Sequence, residues 1–442
     1  MLRRAICLCI ALYICLLGTG VAAAQTAADA ISKASAFTAA LKQGAYAEAE
    51  AMFAPAVQQV FPVEQLQATW VALPTQLGEL QRIEAPYEAA GTSRYTVRQP
   101  LHYALMDMDL LFGFNAELQV EQFLLVNHLP RPSDEESATV PPYVDKSKFT
   151  EQPVTVGEPG YPLQGMLTMP AGPGPFPVVV LVQGSGPNDK DETLGPNKPF
   201  RDLAWGLASQ GVAVLRYDKR TLTYGPTMTN ADITLDNEVV TDAVLAARLL
   251  EASGAFSSVF VLGHSLGGTM APYIAQQLPN LTGVIIAAGT TRPLYELVLE
   301  QTHYLVQLDG VVTPDEEAAV TATATEVALI SSGKVQPTDF LMGAPGAYWL
   351  DVRSRNPLQI ARTLPQPILF LQGERDYQVT IKDFNLWQNG LAGKQNIVFK
   401  TYASLNHLFM SGSGAPNPTE YYTPSHVDAQ VIANIANWIK AQ

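Results

Sequence analysis

Short apolar runs recur along the second half of the chain, and they determine the fold that the sequence predicts. From residue 177 onward, runs rich in Val, Ile and Leu occupy 178–182, 212–217, 259–262, 284–288, 368–371 and 397–402. Runs of this length without polar alternation are typical of strands buried on both faces of a mostly parallel sheet. Helical periodicity follows between several of them, at 200–209, 235–252 and 266–277, and an amphipathic helix is predicted at 427–440. The pattern predicts an α/β domain over 153–442 that begins with an alternating hairpin at 153–169.

Three other stretches depart from this repeat. Residues 29–128 begin with helical periodicity and then alternate, at 80–83, 93–97, 101–105, 109–114 and 120–126, which predicts a small α+β domain. The Pro-, Ser- and Glu-rich residues 129–152 follow neither period and are interpreted as a linker. Residues of about 290–365 lack a strong strand pattern, and helices at 295–308, 314–331 and 348–352 predict a helical cap over the active site.

The amino terminus has the features of an export signal. Arg3 and Arg4 precede an apolar segment at 6–17, and three alanines at 22–24 supply a small-residue cleavage site. We expect residues 1–24 to be removed on export to a bacterial periplasm or exterior. The apolar segment is short, so no stable membrane insertion is expected after its removal. All three cysteines lie in this segment, and the mature chain would therefore have no disulfide.

The candidate nucleophile lies where an apolar strand breaks on a glycine. Residues 259–268 read Val-Phe-Val-Leu-Gly-His-Ser-Leu-Gly-Gly, with Ser265 between Gly263 and Gly267. A serine that stands clear of a sheet on a sharp strand-to-helix turn needs neighbours without side chains. The helix predicted from Leu266 would direct its free N–H groups and positive dipole end to the same point. Ser265 is therefore predicted to be a nucleophile, and a structural turn in an inactive relative is the alternative.

Such a serine requires a base and a carboxylate that orients the base. Asp376 follows the run at 368–371 and His407 follows the run at 397–402, so both lie past the carboxyl ends of predicted strands. The alternatives are His426 as the base and Glu374 or Asp218 as the carboxylate.

Acidic residues also cluster at Asp189, Asp191 and Glu192. They could hold a cation, but a polar loop fixed by its neighbours is the favoured interpretation. His264 is interpreted as a packing residue of the turn, because its side chain alternates with that of Ser265 along the strand.

From about residue 153 onward the chain resembles an α/β-hydrolase, in particular a bacterial exported subgroup. Five motifs carry the resemblance in the family's order, at 183–192, 215–220, 263–268, 373–379 and 405–409. The resemblance implies a mostly parallel central sheet with a cap insertion, and a triad of Ser265, Asp376 and His407, whose chain order is that of the family.

The resemblance also implies the site of the oxyanion hole. One donor would be the backbone N–H of Leu266, and the other that of Ser185, with Gly184 as the next choice. Gln183 stands where many relatives have His, and we expect its amide to brace this loop instead. No metal, nucleotide or flavin cofactor is implied.

Residues 29–128 resemble the small nuclear-transport-factor-2-like domains, through their element order and a loose pattern from Phe37 to Trp70. Together these features predict a carboxylesterase-type serine hydrolase that acts on a small-molecule ester or acyl substrate. The net charge of −14 without basic clusters argues against nucleic acid as a partner. The same triad could serve an aminopeptidase, a thioesterase or an acyltransferase, or be vestigial in a binding protein. The oligomeric state is unknown from the sequence.

Overall fold

The structure is a computed structural model that describes residues 26–77, 79–89, 95–104, 107–128, 139–225 and 228–442. The chain divides into two compact units. The first comprises Met1–Leu129, Thr221–Ile233 and Leu305–Leu350, and the second comprises Pro130–Arg220, Thr234–Tyr304 and Asp351–Gln442. The predicted signal at 1–24 and residues 129–138 of the predicted linker lie outside the described residues.

The described helices, in chain order, are α1 (Ala27–Gln43), α2 (Tyr46–Glu50), α3 (Pro55–Val60), α4 (Val63–Leu77), α5 (Pro199–Ser209), α6 (Arg220–Tyr224), α7 (Thr241–Ser253), α8 (Leu266–Gln276), α9 (Leu294–Gln307), α10 (Pro314–Ser332), α11 (Gly346–Ser354), α12 (Pro357–Thr363), α13 (Ile381–Gly390) and α14 (Ala429–Lys440). The described strands are β1 (Leu80–Ile83), β2 (Tyr87–Glu88), β3 (Thr96–Tyr103), β4 (Asp107–Phe114), β5 (Val120–Asn127), β6 (Phe149–Val156), β7 (Leu163–Pro170), β8 (Phe176–Val182), β9 (Ala213–Tyr217), β10 (Phe256–His264), β11 (Gly283–Ala287), β12 (Phe340–Leu341), β13 (Ala344–Pro345), β14 (Ile368–Gly373) and β15 (Ile397–Tyr402).

The first unit is built around an antiparallel sheet with the strand order β1-β3-β4-β5, and β2 pairs with β3. Helix α1 begins at a capping box between Thr26 and Asp29 and packs through Phe37. The centroid of the Phe37 ring lies 5.1 to 5.4 Å from those of three other core rings, Phe53, Phe112 and Phe123. This aromatic cluster between helices and sheet agrees with the α+β prediction.

Strand β3 differs from the sequence prediction. The sequence predicts two strands at 93–97 and 101–105, but Thr96–Tyr103 is one continuous strand. Pro100 lies opposite Asp109 in the register with β4, and its carbonyl oxygen accepts a hydrogen bond from the N–H of Glu84 at 3.0 Å. A proline is tolerated in a strand where its missing N–H is not needed for the ladder.

The first unit also includes parts of the chain that are remote in sequence. Residues 305–350, which contain α10 and the β12–β13 hairpin, group with the first unit. The sequence analysis assigned them to the catalytic domain as part of its cap at 290–365, and this cap stays a prediction. The segment 221–233 belongs there too, and the side-chain amide of Gln122 in β5 donates to the carbonyl of Gly225. Periodicity along one segment carries no information about its remote partners, so the sequence did not indicate this grouping.

The second unit contains the sheet that the apolar runs predicted. Its strand order is β15-β14-β11-β10-β8-β9-β7-β6, and the pairs from β15 through β9 are parallel. Helices α5 and α14 cover one face, where alternate residues of the central strands form a buried cluster with Phe200 and Ile435. Helices α7 and α8 pack against β8, β10 and β11 from the other face.

Strand β6 starts earlier than the sequence indicated. Residues 149–152 were assigned to the linker, but the strand begins at Phe149 and pairs antiparallel with β7 at the end of the sheet. Most of its side chains are exposed or only half-buried, as expected for an edge strand. An edge strand that buries so few side chains has no apolar pattern to reveal it.

Candidate active site

Ser265 lies on a strained turn between β10 and α8. Its backbone has φ 55° and ψ −117°, outside the regions that non-glycine residues favour. Hydrogen bonds hold the strained residue on both sides, because its N–H donates to Ala287 at 2.9 Å and its carbonyl accepts from Thr269 at 2.9 Å.

The two glycines that flank Ser265 have no room for a side chain. A Cβ at Gly263 would lie 2.1 Å from the carbonyl oxygen of Gly267. A Cβ at Gly267 would lie 2.2 Å from the carbonyl oxygen of Val182, at the end of β8. The strand, the turn and the helix can therefore approach each other only with glycine at both positions, as the sequence analysis argued.

Asp376 and His407 are in direct contact. Oδ2 of Asp376 lies 2.6 Å from Nδ1 of His407, and both residues are buried. The other oxygen, Oδ1, accepts the backbone N–H groups of Gln378 and Val379 at 2.8 and 2.9 Å. The amide of Gln372 donates to Oδ2 at 3.1 Å. These donors fix the carboxylate in the orientation that holds the imidazole.

The turn that carries His407 is held by Asn406, which the sequence analysis did not single out. The side-chain oxygen of Asn406 accepts the N–H groups of Leu408 and Met410, each at 3.1 Å. The chain here passes directly over Gly373, where a Cβ would lie 2.4 Å from the carbonyl oxygen of Leu405. The Leu-Asn-His sequence after a strand is the signal that could have identified this side-chain bracket.

Among the described residues, neither the Ser265 hydroxyl nor Nε2 of His407 has a hydrogen-bond partner. Hydrogen bonds between a nucleophile and its base are often long in the free enzyme and shorten when substrate binds. What this structure shows is the oriented pair of Asp376 and His407, after β14 and β15, and a serine on a strained turn at the end of β10, which β11 separates from β14 in the same sheet.

The loop that follows β8 distinguishes between the two expected oxyanion donors. The N–H of Gly184 donates to Oε1 of Glu192 at 2.6 Å, so it is not free for an oxyanion, and this second choice is wrong. In the described part of the chain, the N–H groups of Ser185 and Leu266 have no acceptor. Both therefore fit the role that the sequence analysis gave them, which stays a prediction.

A buried lysine braces the same loop. Nζ of Lys219 donates to the carbonyl oxygens of Gly184 at 2.5 Å and Gly186 at 3.0 Å, and it pairs with Glu238 at 2.8 Å. The side-chain amide of Gln183 donates to the carbonyl of Tyr217, which is the bracing role expected for this residue. The loop is thus fixed by side chains that reach its backbone from outside it.

Comparisons with known proteins show the family of the chain. The family profile described as "Serine aminopeptidase, S33" matches residues 198–325, and one described as a protein of unknown function (DUF3887) matches residues 34–123. Esterase EstD of Thermotoga maritima is 38% identical over 384 residues, which cover 87% of this chain and 89% of that protein. The chain belongs to the α/β-hydrolase family.

Solved α/β-hydrolase structures show a more distant likeness. Est1E from Butyrivibrio proteoclasticus is 15% identical with a TM-score of 0.44, over 66% of this chain and 99% of that one. The Pyrococcus furiosus esterase Pf2001 is 13% identical with a TM-score of 0.45, over 72% of this chain and 95% of that one.

The alternative triad residues of this α/β-hydrolase have other partners. Nδ1 of His426 lies 3.0 Å from Asp202, and its Nε2 lies 3.1 Å from the Thr139 hydroxyl. Asp218 accepts the N–H of Lys190 at 2.8 Å, and Glu374 is exposed. Asp376 is the carboxylate that the structure places against His407.

The acidic loop of this α/β-hydrolase is fixed by protein groups. Asp189 accepts the N–H and hydroxyl of Thr193, each at 2.8 Å, and Asp191 pairs with Arg216 at 2.7 Å. Burial and the neighbouring Asp191 raise the pKa of Asp189 to about 6. Burial alone would raise the pKa of Asp191, but Arg216 and Lys198 lower it to about 2. Within the described ranges, no cluster of three or more His, Cys, Asp or Glu residues is arranged to hold a metal ion.

Among the described helices of this α/β-hydrolase, none combines the length and the apolar character that crossing a membrane requires.

Proposed function

We propose that the protein hydrolyses carboxylic esters through an acyl-enzyme formed on Ser265. The observation that carries the proposal is the 2.6 Å contact between Asp376 and His407, in a chain that also places Ser265 on a strained strand-to-helix turn. The similarity to Esterase EstD, which extends over 87% of this chain, supports an ester as the substrate class.

In the first half of the reaction, Oγ of Ser265 attacks the ester carbonyl carbon while Nε2 of His407 takes the hydroxyl proton. Asp376 keeps Nδ1 of the imidazole protonated and stabilises the positive charge that forms on the ring. The N–H groups of Leu266 and Ser185 donate to the oxyanion, and each such donor is worth about 3 kcal/mol. His407 then protonates the leaving alcohol, and the acyl group remains on Ser265.

In the second half, His407 takes a proton from a water molecule that attacks the acyl carbonyl. The tetrahedral intermediate forms in the same oxyanion site, and its collapse returns the proton to Ser265 and releases the carboxylic acid. The balance of the two halves is one ester and one water consumed, and one alcohol and one acid produced.

The test combines turnover with covalent labelling. We expect the purified protein to hydrolyse p-nitrophenyl esters and to react with a fluorophosphonate probe at Ser265, and Ser265→Ala to do neither. The Thr269→Ser variant serves as a matched control, because its hydroxyl hydrogen-bonds to the Ser265 carbonyl at 3.1 Å and survives the change. A wild-type protein that neither labels nor hydrolyses any ester of the panel would support a vestigial site instead.

Aminopeptidase activity is the second candidate, because the profile that matches residues 198–325 is described as a serine aminopeptidase. The triad chemistry is the same for an amide, and the leaving group alone differs. Aminoacyl p-nitroanilides of matched acyl size separate the two functions. Turnover of anilides without turnover of esters would contradict the esterase proposal.

We also propose that the protein is exported. The support is the amino-terminal pattern of Arg3 and Arg4, an apolar segment at 6–17 and alanines at 22–24. Expression in a bacterial host, cell fractionation and amino-terminal sequencing test this proposal. We expect the extracytoplasmic chain to begin at Gln25, and an uncleaved chain retained in the cytoplasm would contradict export.

A further inference from the structure

Glu192 has contacts that set it apart from the other acids of its loop. It is 7% exposed, and its backbone is in the left-handed region with φ 51°. One carboxylate oxygen, Oε1, accepts the N–H of Gly184 at 2.6 Å. The other, Oε2, lies 2.9 Å from Nδ1 of His264, the residue that directly precedes the candidate nucleophile. One side chain thus contacts both the loop after β8 and the turn after β10.

His264 extends this chain of contacts to the base. Its Nε2 lies 2.9 Å from the carbonyl oxygen of His407, and the two imidazole rings are 4.7 Å apart between centroids. The sequence analysis interpreted His264 as a packing residue, but the structure shows both of its ring nitrogens in polar contacts. The contacts run from Gly184 through Glu192 and His264 to the main chain of His407.

The two contacts of His264 bear on its protonation. Nδ1 faces a carboxylate and Nε2 faces a carbonyl oxygen, and both of these groups only accept hydrogen bonds. The approach of Nδ1 to Glu192 has the distance of an ion pair but not the alignment of a hydrogen bond, whereas Nε2 is in hydrogen-bond contact with the His407 carbonyl. A protonated ring would donate from Nε2 to that carbonyl while its charge faces the carboxylate. Burial alone would lower the pKa of His264, but the Glu192 carboxylate, the His407 carbonyl and the Asp376 charge raise it.

The surroundings offer little that could replace these contacts. The rings of Phe200 and Phe409 approach His264 edge to face, with centroids 6.4 and 6.3 Å away. A cavity of about 20 Å³ beside the pair is otherwise lined by apolar residues and has room for roughly one water molecule. Removing the carboxylate would therefore leave His264 and the Gly184 N–H with one water at most.

We propose that Glu192 is a positioning residue for ester hydrolysis, which fixes the oxyanion loop and the main chain of His407 relative to Ser265 through its contacts with Gly184 and His264. The inference rests on the proposed function. Gly184 immediately precedes Ser185, so the Glu192 contact with the Gly184 N–H orients the loop segment that presents the Ser185 N–H. Displacements of about 1 Å at such groups can cost about 100-fold in rate.

The discriminating variant is Glu192→Gln, which keeps an oxygen for the Gly184 N–H but removes the charge that holds His264. We expect kcat for a p-nitrophenyl ester to fall about 10- to 100-fold while KM changes less than about threefold. The affinity for a trifluoromethyl ketone, which forms a tetrahedral adduct with the serine, should fall by a similar factor. If the variant only increased the mobility of the loop after β8, the affinity for the ketone would not fall more than the affinity for the ester.

The matched control is Asp189→Asn in the same loop. Asp189 is half-buried and accepts from Thr193, but among the described residues it has no contact with Gly184 or His264. We expect its kcat and ketone affinity to remain within about twofold of the wild type. Equal losses in both variants would overturn the proposal, and so would a Glu192→Gln variant with unchanged kcat or with unchanged ketone affinity.

His264→Gln provides the second variant. In this proposal Glu192 and His264 act through the same contact. The double variant should therefore be no slower than the slower of the two single variants. Independent, multiplicative losses would overturn it, and so would failure of both single variants to fold. The rate of fluorophosphonate labelling at Ser265 is followed in parallel. If the wild type labels but hydrolyses no ester, the proposed function fails, and the labelling rates of the variants still test the role of Glu192.

Discussion

The Asp376–His407 pair of the second unit and the Asp109–His128 pair of the first have nearly the same contact distance and different surroundings. In the second unit, Oδ2 of Asp376 lies 2.6 Å from Nδ1 of His407. In the first unit, Oδ1 of Asp109 lies 2.7 Å from Nδ1 of His128. The side chains of both aspartates are fully buried. The contact distance alone therefore does not distinguish a candidate catalytic pair from a structural one.

The other partners of the two carboxylates differ. Asp109 also pairs with the guanidinium of Arg98 at 2.8 Å. Burial alone would raise the pKa of Asp109, but His128 and Arg98 hold it below the usual range. Asp376 is held instead by neutral donors, the N–H groups of Gln378 and Val379 and the amide of Gln372. The neutral partners of Asp376 do not balance a negative charge, so this carboxylate can stabilise an imidazolium that forms on His407. The negative charge of Asp109 is already balanced by the guanidinium of Arg98.

The same substitution in each pair gives the largest expected difference. We expect Asp376→Asn to lower kcat by about 10⁴-fold, because the amide favours the wrong imidazole tautomer and cannot stabilise the imidazolium. The measurement is single-turnover kinetics on a p-nitrophenyl ester, with circular dichroism to verify the fold.

Asp109→Asn is the control for that experiment. Its kcat, normalised to the fraction of chains that label at Ser265, should equal that of the wild type, although its thermal stability should fall. A loss of kcat in Asp109→Asn as large as that in Asp376→Asn would contradict the assignment of catalysis to the second unit.

The sequence predicts more of the second unit than of the first. The central strands are buried on both faces, so each appears as an apolar run, and the loops after them place Asp376 and His407 at one edge of the sheet. Strand β6 and the grouping of 305–350 with the first unit were missed, because exposed edge strands and contacts remote in sequence leave no periodic signal.

The pairing of groups within the candidate site was also only partly predictable. Chain order and the family motif predict the candidate triad of Ser265, Asp376 and His407. It does not show that Glu192 takes the N–H of Gly184, since that contact depends on the path of a loop through space. The sequence gives the types of residue, but which carboxylate accepts a hydrogen bond from which N–H group depends on the fold.

Removing the cation that distinguishes the first pair should have the second-largest effect. Arg98→Met leaves the buried Asp109 with His128, and breaking a buried ion pair in this way costs about 3 kcal/mol of unfolding free energy. Urea unfolding of the full chain, followed by circular dichroism, measures the loss. Methionine keeps an unbranched apolar stem like that of arginine and removes the guanidinium group. Unchanged stability would show that Arg98 contributes nothing to the difference between the two pairs.

The smallest effect concerns the pH dependence of the first pair. Burial alone would lower the pKa of His128, but the hydrogen bond and the charge of Asp109, with Asp107, raise it against the opposing charge of Arg98. His102, whose ring centroid is 5.7 Å away, faces the same ring. Because the folded pKa is raised, the stabilisation by protonated His128 is complete below the ordinary value of about 6.5 and is lost as the pH rises through the folded pKa.

His128→Gln removes this contribution and should increase the contrast with the candidate catalytic pair. We expect the variant to melt a few degrees below the wild type at about pH 6, and the difference to shrink as the pH rises to about 9 and folded His128 loses its proton. Differential scanning calorimetry of both proteins at the two pH values measures it. A melting difference that grows with pH would mean that His128 is neutral in the folded unit, and that its contact with Asp109 is an ordinary hydrogen bond rather than an ion pair.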